Sequence, residues 1–175
     1  MQLSRFDIAG IFFLHLVKRS MATDTNTRLL KIDSPVFKNE ELIPSRYTCE
    51  GEDINPPLLI GDIPAKAKTL ALIMEDPDAP NGTFDHWLLW NIPVAPRIDE
   101  NSNPGISGKN GFGKTGYGGP CPPSGTHRYF FHVYALDVEL DLDAGSDKKT
   151  LLDALDNHVL AMGELMGKYQ KKNVQ

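Results

Sequence analysis

Three short apolar runs between Gly- and Pro-rich corners constrain this chain more than any other feature. They occupy residues 69–74, 87–92 and 129–136. Each is too short for a buried helix, each is rich in Leu, Ile, Trp or Phe, and each has turn residues around it. That combination reads as buried strands. Residues 29–37 alternate loosely and predict a first strand that ends near Pro35. Residues 43–57 and 101–119 carry many Pro, Gly, Asp and Asn residues and predict surface loops, the second with one short strand. Several short strands joined by such turns imply a mainly β fold, an antiparallel β-sandwich.

Near the C-terminus the pattern changes. Ser146 is a candidate N-cap and Asp147 a favourable first-turn charge. Leu151, Leu155, Val159, Met162 and Met166 then recur at helical spacing, and Lys168, Lys171 and Lys172 suit a helix C-terminus. The expectation is a C-terminal α-helix packed on the sandwich by this stripe, with short accessory helices elsewhere.

A chain of 175 residues is enough for one domain with a sizeable core. Residues 8–17 are apolar apart from His15, too short a stretch for a membrane span. Residues 1–20 are read as an N-terminal tail or start-site artefact with initiation at Met21. The alternatives are a soluble extension that packs on the domain, or a targeting segment. Residues 21–175 are then the single domain, with no stable membrane insertion. The formal net charge of −5 argues against a nucleic-acid partner, which needs clustered Lys and Arg. Cys49 and Cys121 stand far apart and read as free thiols of a reducing, cytoplasmic compartment, with one disulfide as the alternative.

The candidate functional residues sit at the ends of the apolar runs. Asp76 and Asp78 flank Pro77 where the first run ends. Residues i and i+2 of a strand face one side, so both carboxylates can address one cavity. The competing reading is an Asx-type turn that binds local amides. His86 directly precedes the second run and His127 the third. An imidazole can donate to an anion and can charge near neutral pH. Tyr129 shares a strand face with His127, and Gly119 can bring a backbone N–H close to a ligand. Ala79–Pro80 is a candidate cis peptide at this corner. Two His and a carboxylate could form a facial metal triad, but the spacing is not that of the common metal motifs. No nucleophile elbow is present, so no hydrolase is expected.

These residues fall in motifs: Asp76-Pro77-Asp78-Ala79-Pro80, His86-Trp87, Gly113-Lys114-Thr115-Gly116-Tyr117, and the stretch from Gly119-Pro120 to Gly125-Thr126-His127-Arg128-Tyr129. In order and separation they resemble the phosphatidylethanolamine-binding protein (PEBP) family, especially its bacterial and archaeal branch, a family that includes the Raf kinase inhibitor protein. The resemblance runs from about residue 29 to 169. It implies a PEBP-like sandwich and a preformed His/Asp pocket that binds a small anionic, phosphate-bearing ligand without catalysis. Asp76, His86, Gly119 and His127 would hold the ligand, with Tyr129 as a weaker candidate and Asp78 bracing the loop. No metal and no cofactor is implied. The family name implies phospholipid binding, although no acyl-chain tunnel is legible. The alternative is an inhibitor or regulator of a protease or kinase that acts through a protein surface. A homodimer is a further expectation.

Overall fold

All three apolar runs become long strands that lie side by side. The computed structural model describes residues 28–172, so the expectations for residues 1–20 lie outside the described residues. In chain order the strands are β1 (Arg28–Leu29), β2 (Lys31–Asp33), β3 (Leu58–Gly61), β4 (Thr69–Asp76), β5 (Phe84–Pro93), β6 (Arg97–Ile98), β7 (Ile106–Ser107), β8 (Thr126–Leu136) and β9 (Val159–Gln170). A 3-10 turn, Ser45–Tyr47, interrupts the long loop, and helix α1 (Lys148–Leu155) precedes β9. A six-stranded sheet runs β1-β9-β8-β4-β5-β7, and a three-stranded sheet runs β2-β3-β6. Every pairing is antiparallel except β1 with β9.

The six-stranded sheet is buried on both faces, which is why its central strands read as unbroken apolar runs. On one face Leu70, Leu72, Met74, Trp87, Leu89, Phe131 and Val133 pack against Ile32, Leu58, Ile60 and Ile98 of the small sheet. On the other face Ala71, Ile73, Leu88, Trp90, Tyr134 and Leu136 are covered by Leu151 and Leu155 of α1. The expected antiparallel sandwich with a helix near the C-terminus is therefore the architecture found.

The helix is shorter than its periodicity suggested. Asp147, not Ser146, is the N-cap, accepting from the Thr150 amide at 2.8 Å. The helix stops at Leu155, and Asn157 turns the chain at φ 64°. Val159, Met162 and Met166 then lie on β9, which pairs with β8 along its whole length. The inward residues of β9 are Ala161, Gly163, Leu165, Gly167 and Tyr169, a period of two. Two of the five are glycines because other segments cross there. A Cβ on Gly163 would sit 2.3 Å from the Leu30 carbonyl oxygen, and one on Gly167 2.5 Å from the Ile43 side chain. With no side chain at those positions the alternation is invisible, and the outward Met residues mimic a helical stripe.

Cys49 and Cys121 are joined in a disulfide across 72 residues, so they are not free thiols. Each lies in a Pro- or Gly-rich loop, and the two loops are also hydrogen-bonded, Cys49 N–H to the Pro120 carbonyl at 3.1 Å. The cytoplasmic expectation leaned on free thiols, and it loses that support. There is no cis peptide among the described residues, so Ala79–Pro80 is trans. The corner is closed instead by local hydrogen bonds, from the Asp78 amide to Asp76 at 2.8 Å and from the Gly82 amide to the Ala79 carbonyl at 3.2 Å.

Candidate functional site

Three adjacent strands carry polar residues at the same end of the six-stranded sheet. β4 finishes at Asp76, β5 begins just before His86, and β8 begins just before His127. The face is fixed by alternation. Asp76 follows Leu70, Leu72 and Met74 on the side of the small sheet, and His127 and Tyr129 precede Phe131 and Val133 on that same side.

His86 reaches this face through a β-bulge. Met74 pairs with Trp87 and Glu75 with Asp85, which leaves His86 as the extra residue of β5. In a bulge two residues oppose one, and the bulged side chain is re-aimed. His86 can thus join Trp87 on the inner face, where its ring meets Tyr129 edge-on with centroids 5.2 Å apart.

The polar atoms interlock. His127 Nδ1–H donates to Asp76 Oδ2 at 2.7 Å, and Asp76 Oδ1 accepts the Asp78 amide. His86 Nδ1 lies 2.6 Å from the Gly118 carbonyl oxygen, which can only accept, so that nitrogen carries the proton. The Gly118 amide returns a bond to the His86 carbonyl at 3.0 Å. Both imidazoles therefore have Nδ1 fixed by structure. Neither Nε2 has a hydrogen-bond partner among the described residues.

All of these groups lie just beneath the surface, with Asp76 and His86 each 3% exposed and His127 7%. Burial pushes the His86 imidazole pKa down, while the Gly118 carbonyl and the charge of Asp76 oppose that shift without reversing it. Tyr129 is fully buried, and its hydroxyl lies close to Asp76 and to the Cys121 backbone without meeting either in good hydrogen-bond geometry. Burial, helped by the nearby Asp76 charge, pushes its phenol pKa up, so the group remains a neutral donor. Phe112 packs edge-on and Phe84 tilted against His86, and the two form an aromatic rim.

Of the residues singled out in the sequence, Asp76, His86, His127 and Tyr129 are brought together. Gly119 is near them, but its amide is occupied, donating to Asp53 Oδ1 at 2.7 Å. The glycine is required for another reason. A Cβ there would lie 2.5 Å from Asp53 Oδ1, 2.6 Å from the Tyr47 carbonyl oxygen and 2.9 Å from the Thr48 Cα. Gly119 thus allows two loops to touch, and the disulfide ties the same two loops. Asp78 faces Arg128, which holds its carboxyl low through a two-pronged contact at 2.7 and 2.9 Å. Asp78 therefore does not share a cavity with Asp76, which makes an Asx-type turn with one oxygen and orients His127 with the other.

Residues that sequence reasoning passed over complete the wall. Tyr117 stands edge-on to Trp87, and its hydroxyl donates to the Tyr47 carbonyl at 2.7 Å. Asp53 anchors Gly119 from the long loop. Tyr117 lay inside a quoted motif, whereas Asp53 carried no signal of its own. No group of three or more His, Cys, Asp or Glu among the described residues is arranged to hold a metal ion. No helix among them is long and apolar enough to cross a membrane.

Residues 33–170 match the family model for phosphatidylethanolamine-binding protein. A UPF0098 protein of Pyrococcus horikoshii is 49% identical over 154 residues, spanning 82% of this chain and 77% of the relative. One from Methanothermobacter thermautotrophicus is 45% identical over 150 residues, 81% of this chain and 99% of the relative. Among solved structures, a PEBP homologue from Chlamydia trachomatis superposes with a TM-score of 0.80 at 40% identity, covering 83% of this chain and all of that one. Escherichia coli YbcL, described as a new member of the mammalian PEBP family, gives 0.75 at 28% identity, covering 82% and 99%. The chain belongs to the phosphatidylethanolamine-binding protein family.

Proposed function

We propose that this family member binds a small anionic, phosphate-bearing group non-covalently between His86, His127 and Tyr129, with no chemical step. One observation carries the reading. Two imidazoles with fixed Nδ1 atoms leave both Nε2 atoms unpartnered beside a fully buried tyrosine hydroxyl that also has none. A buried donor left unsatisfied costs ~1–3 kcal/mol, and a ligand oxygen would remove that cost.

The tautomers say how such a ligand is held. With Nδ1 protonated, a neutral imidazole offers only a lone pair at Nε2. An anion needs a donor there, so binding draws a proton onto the ring. Asp76, already bonded to His127 Nδ1–H, supplies a counter-charge beside that ring. Burial keeps His86 neutral in the ligand-free protein, and an incoming anion would offset that shift. Binding is therefore coupled to proton uptake. The Gly118–Gly119 backbone shapes the wall and is not itself a donor to the ligand.

Titration of the protein with orthophosphate and with phosphoethanolamine, followed by heat and by the ring-nitrogen NMR signals of the histidines, tests this. The expected result is one binding event that shifts both His86 and His127 signals. Ring signals that stay unchanged up to millimolar ligand would remove the proposal.

A further inference from the structure

We infer that Lys148 is a positioning residue for this site, acting from the opposite face of the six-stranded sheet. The inference rests on the ligand site proposed above and names a residue that sets its geometry. Consecutive strand residues point to opposite faces. Asp76 on the ligand side is preceded by Glu75 on the helix side, and His86 is preceded by Asp85. Lys148, in the first turn of α1, bridges those two carboxylates, with Nζ 2.8 Å from Glu75 Oε2 and 2.6 Å from Asp85 Oδ1.

The bridge spans the β-bulge. Glu75 pairs with Asp85 on the far side of the register shift from Met74 and Trp87, and His86 is the residue that the shift leaves over. Holding Glu75 and Asp85 with one ammonium pins both strands at the point where His86 is re-aimed. The third strand is engaged as well, because His132 Nε2 of β8 lies 3.4 Å from Glu75 Oε1 and its Nδ1 lies 3.5 Å from Glu164. The same three strands carry Asp76, His86, His127 and Tyr129 on the ligand side. These are poorly hydrated charges, with side-chain exposures of 19% for Lys148, 13% for Glu75 and 23% for Asp85, so their mutual attraction is little screened.

The test compares Lys148→Met, Lys148→Arg and Leu155→Ala, the last loosening α1 against the same face without touching the bridge. Histidine ring-nitrogen spectra are recorded on ligand-free protein, and orthophosphate affinity is measured by calorimetry. Lys148→Met is expected to shift the His86 ring signals and weaken orthophosphate binding roughly tenfold, the order that a sub-ångström misplacement of binding groups can produce. Lys148→Arg should restore both, and Leu155→Ala should lower the thermal midpoint while leaving the ring signals in place. If Lys148→Met does not fold, Glu75→Gln removes half of the bridge from the neighbouring strand and is read in the same way. Unchanged His86 signals in Lys148→Met, or an equal shift in Leu155→Ala, would overturn the inference. Absence of orthophosphate binding in the unaltered protein would instead count against the proposed ligand, while the ligand-free spectra would still decide the role of Lys148.

Discussion

Removing the Cys49–Cys121 bond should destabilise the domain by an amount that its loop length sets. The bond closes 72 residues, with Cα atoms 5.4 Å apart. In the chain-entropy treatment, closing a loop of that size removes about 15 cal/mol/K from the unfolded chain, or about 4 kcal/mol at 25 °C. A domain of this size shifts its thermal midpoint by ~2–4 °C per kcal/mol. The double variant Cys49→Ser/Cys121→Ser should therefore melt roughly 10–15 °C lower. It should still fold, because the two loops keep the Cys49 amide bond to Pro120 and the Gly119 amide bond to Asp53. The assay is thermal unfolding followed by circular dichroism, with and without reductant, beside a thiol titration in denaturant. The unaltered protein should titrate no thiol before reduction. Reductant should lower its midpoint towards that of the double variant and leave the variant unmoved. Two titratable thiols in the unreduced protein, or midpoints within about 3 °C of one another, a difference of ~1 kcal/mol, would refute the argument.

The remaining expectations concern charge and packing. His86→Ala and His127→Ala should each weaken binding of a phosphate monoester by ~1–3 kcal/mol, while His158→Ala, which loses only a half-exposed contact to Asp137, should not; calorimetry decides. Affinity should fall as pH rises from about 6 to 8, because the proton that binding must add to the neutral His86 ring becomes scarcer in solution. The lowered pKa of His86 means that the unfolded chain binds its proton more readily than the folded one. Stability from this group is complete above about pH 6.5 and declines as pH falls below it, at up to about 1.4 kcal/mol per pH unit. Chemical denaturation of the parent and of His86→Phe at several pH values should show that slope only in the parent. Burial pushes the Glu75 carboxyl up, but His132 and Lys148 outweigh it and hold the pKa at about 2. Glu75→Gln should thus cost on the order of 2–3 kcal/mol at neutral pH, with the gap closing as pH falls from 4.5 towards 2. Gly119→Ala should cost about 2 kcal/mol or more in urea unfolding, since two of the three contacts that its methyl would meet are backbone.

What could be read without coordinates follows from how local each constraint is. β4, β5 and β8 were legible because both their faces are buried, which leaves continuous apolar runs between polar ends. β9 was not, because Gly163 and Gly167 stand where the chain near Leu30 and Ile43 crosses it. The reason for those glycines lies more than a hundred residues away. The disulfide stood only as the alternative to free thiols for the same reason, as two cysteines in separate loops carry no signal that the loops meet. Asp76, His86, His127 and Tyr129 were legible as a group because each sits at the end of a run, and the motifs fix their order. The partner of the Gly119 amide was not legible. Asp53 belongs to a loop whose composition says only that it is a loop.

Bulge and bridge also explain why this end of the sheet is polar on both sides. A strand end that must place a carboxylate inward at Asp76 leaves its neighbour Glu75 on the other face. There it would be a buried, unpaired charge, and such a group is expensive unless it is compensated. Asp85 beside His86 faces the same constraint. One lysine at the start of α1 meets both, with His132 as a second partner of Glu75, and the lysine contact requires the helix to begin where Asp147 caps it, directly over the bulge. The arrangements on the small-sheet side and on the helix side are thus two consequences of the same strand pairing. A substitution that neutralises one side should be felt on the other.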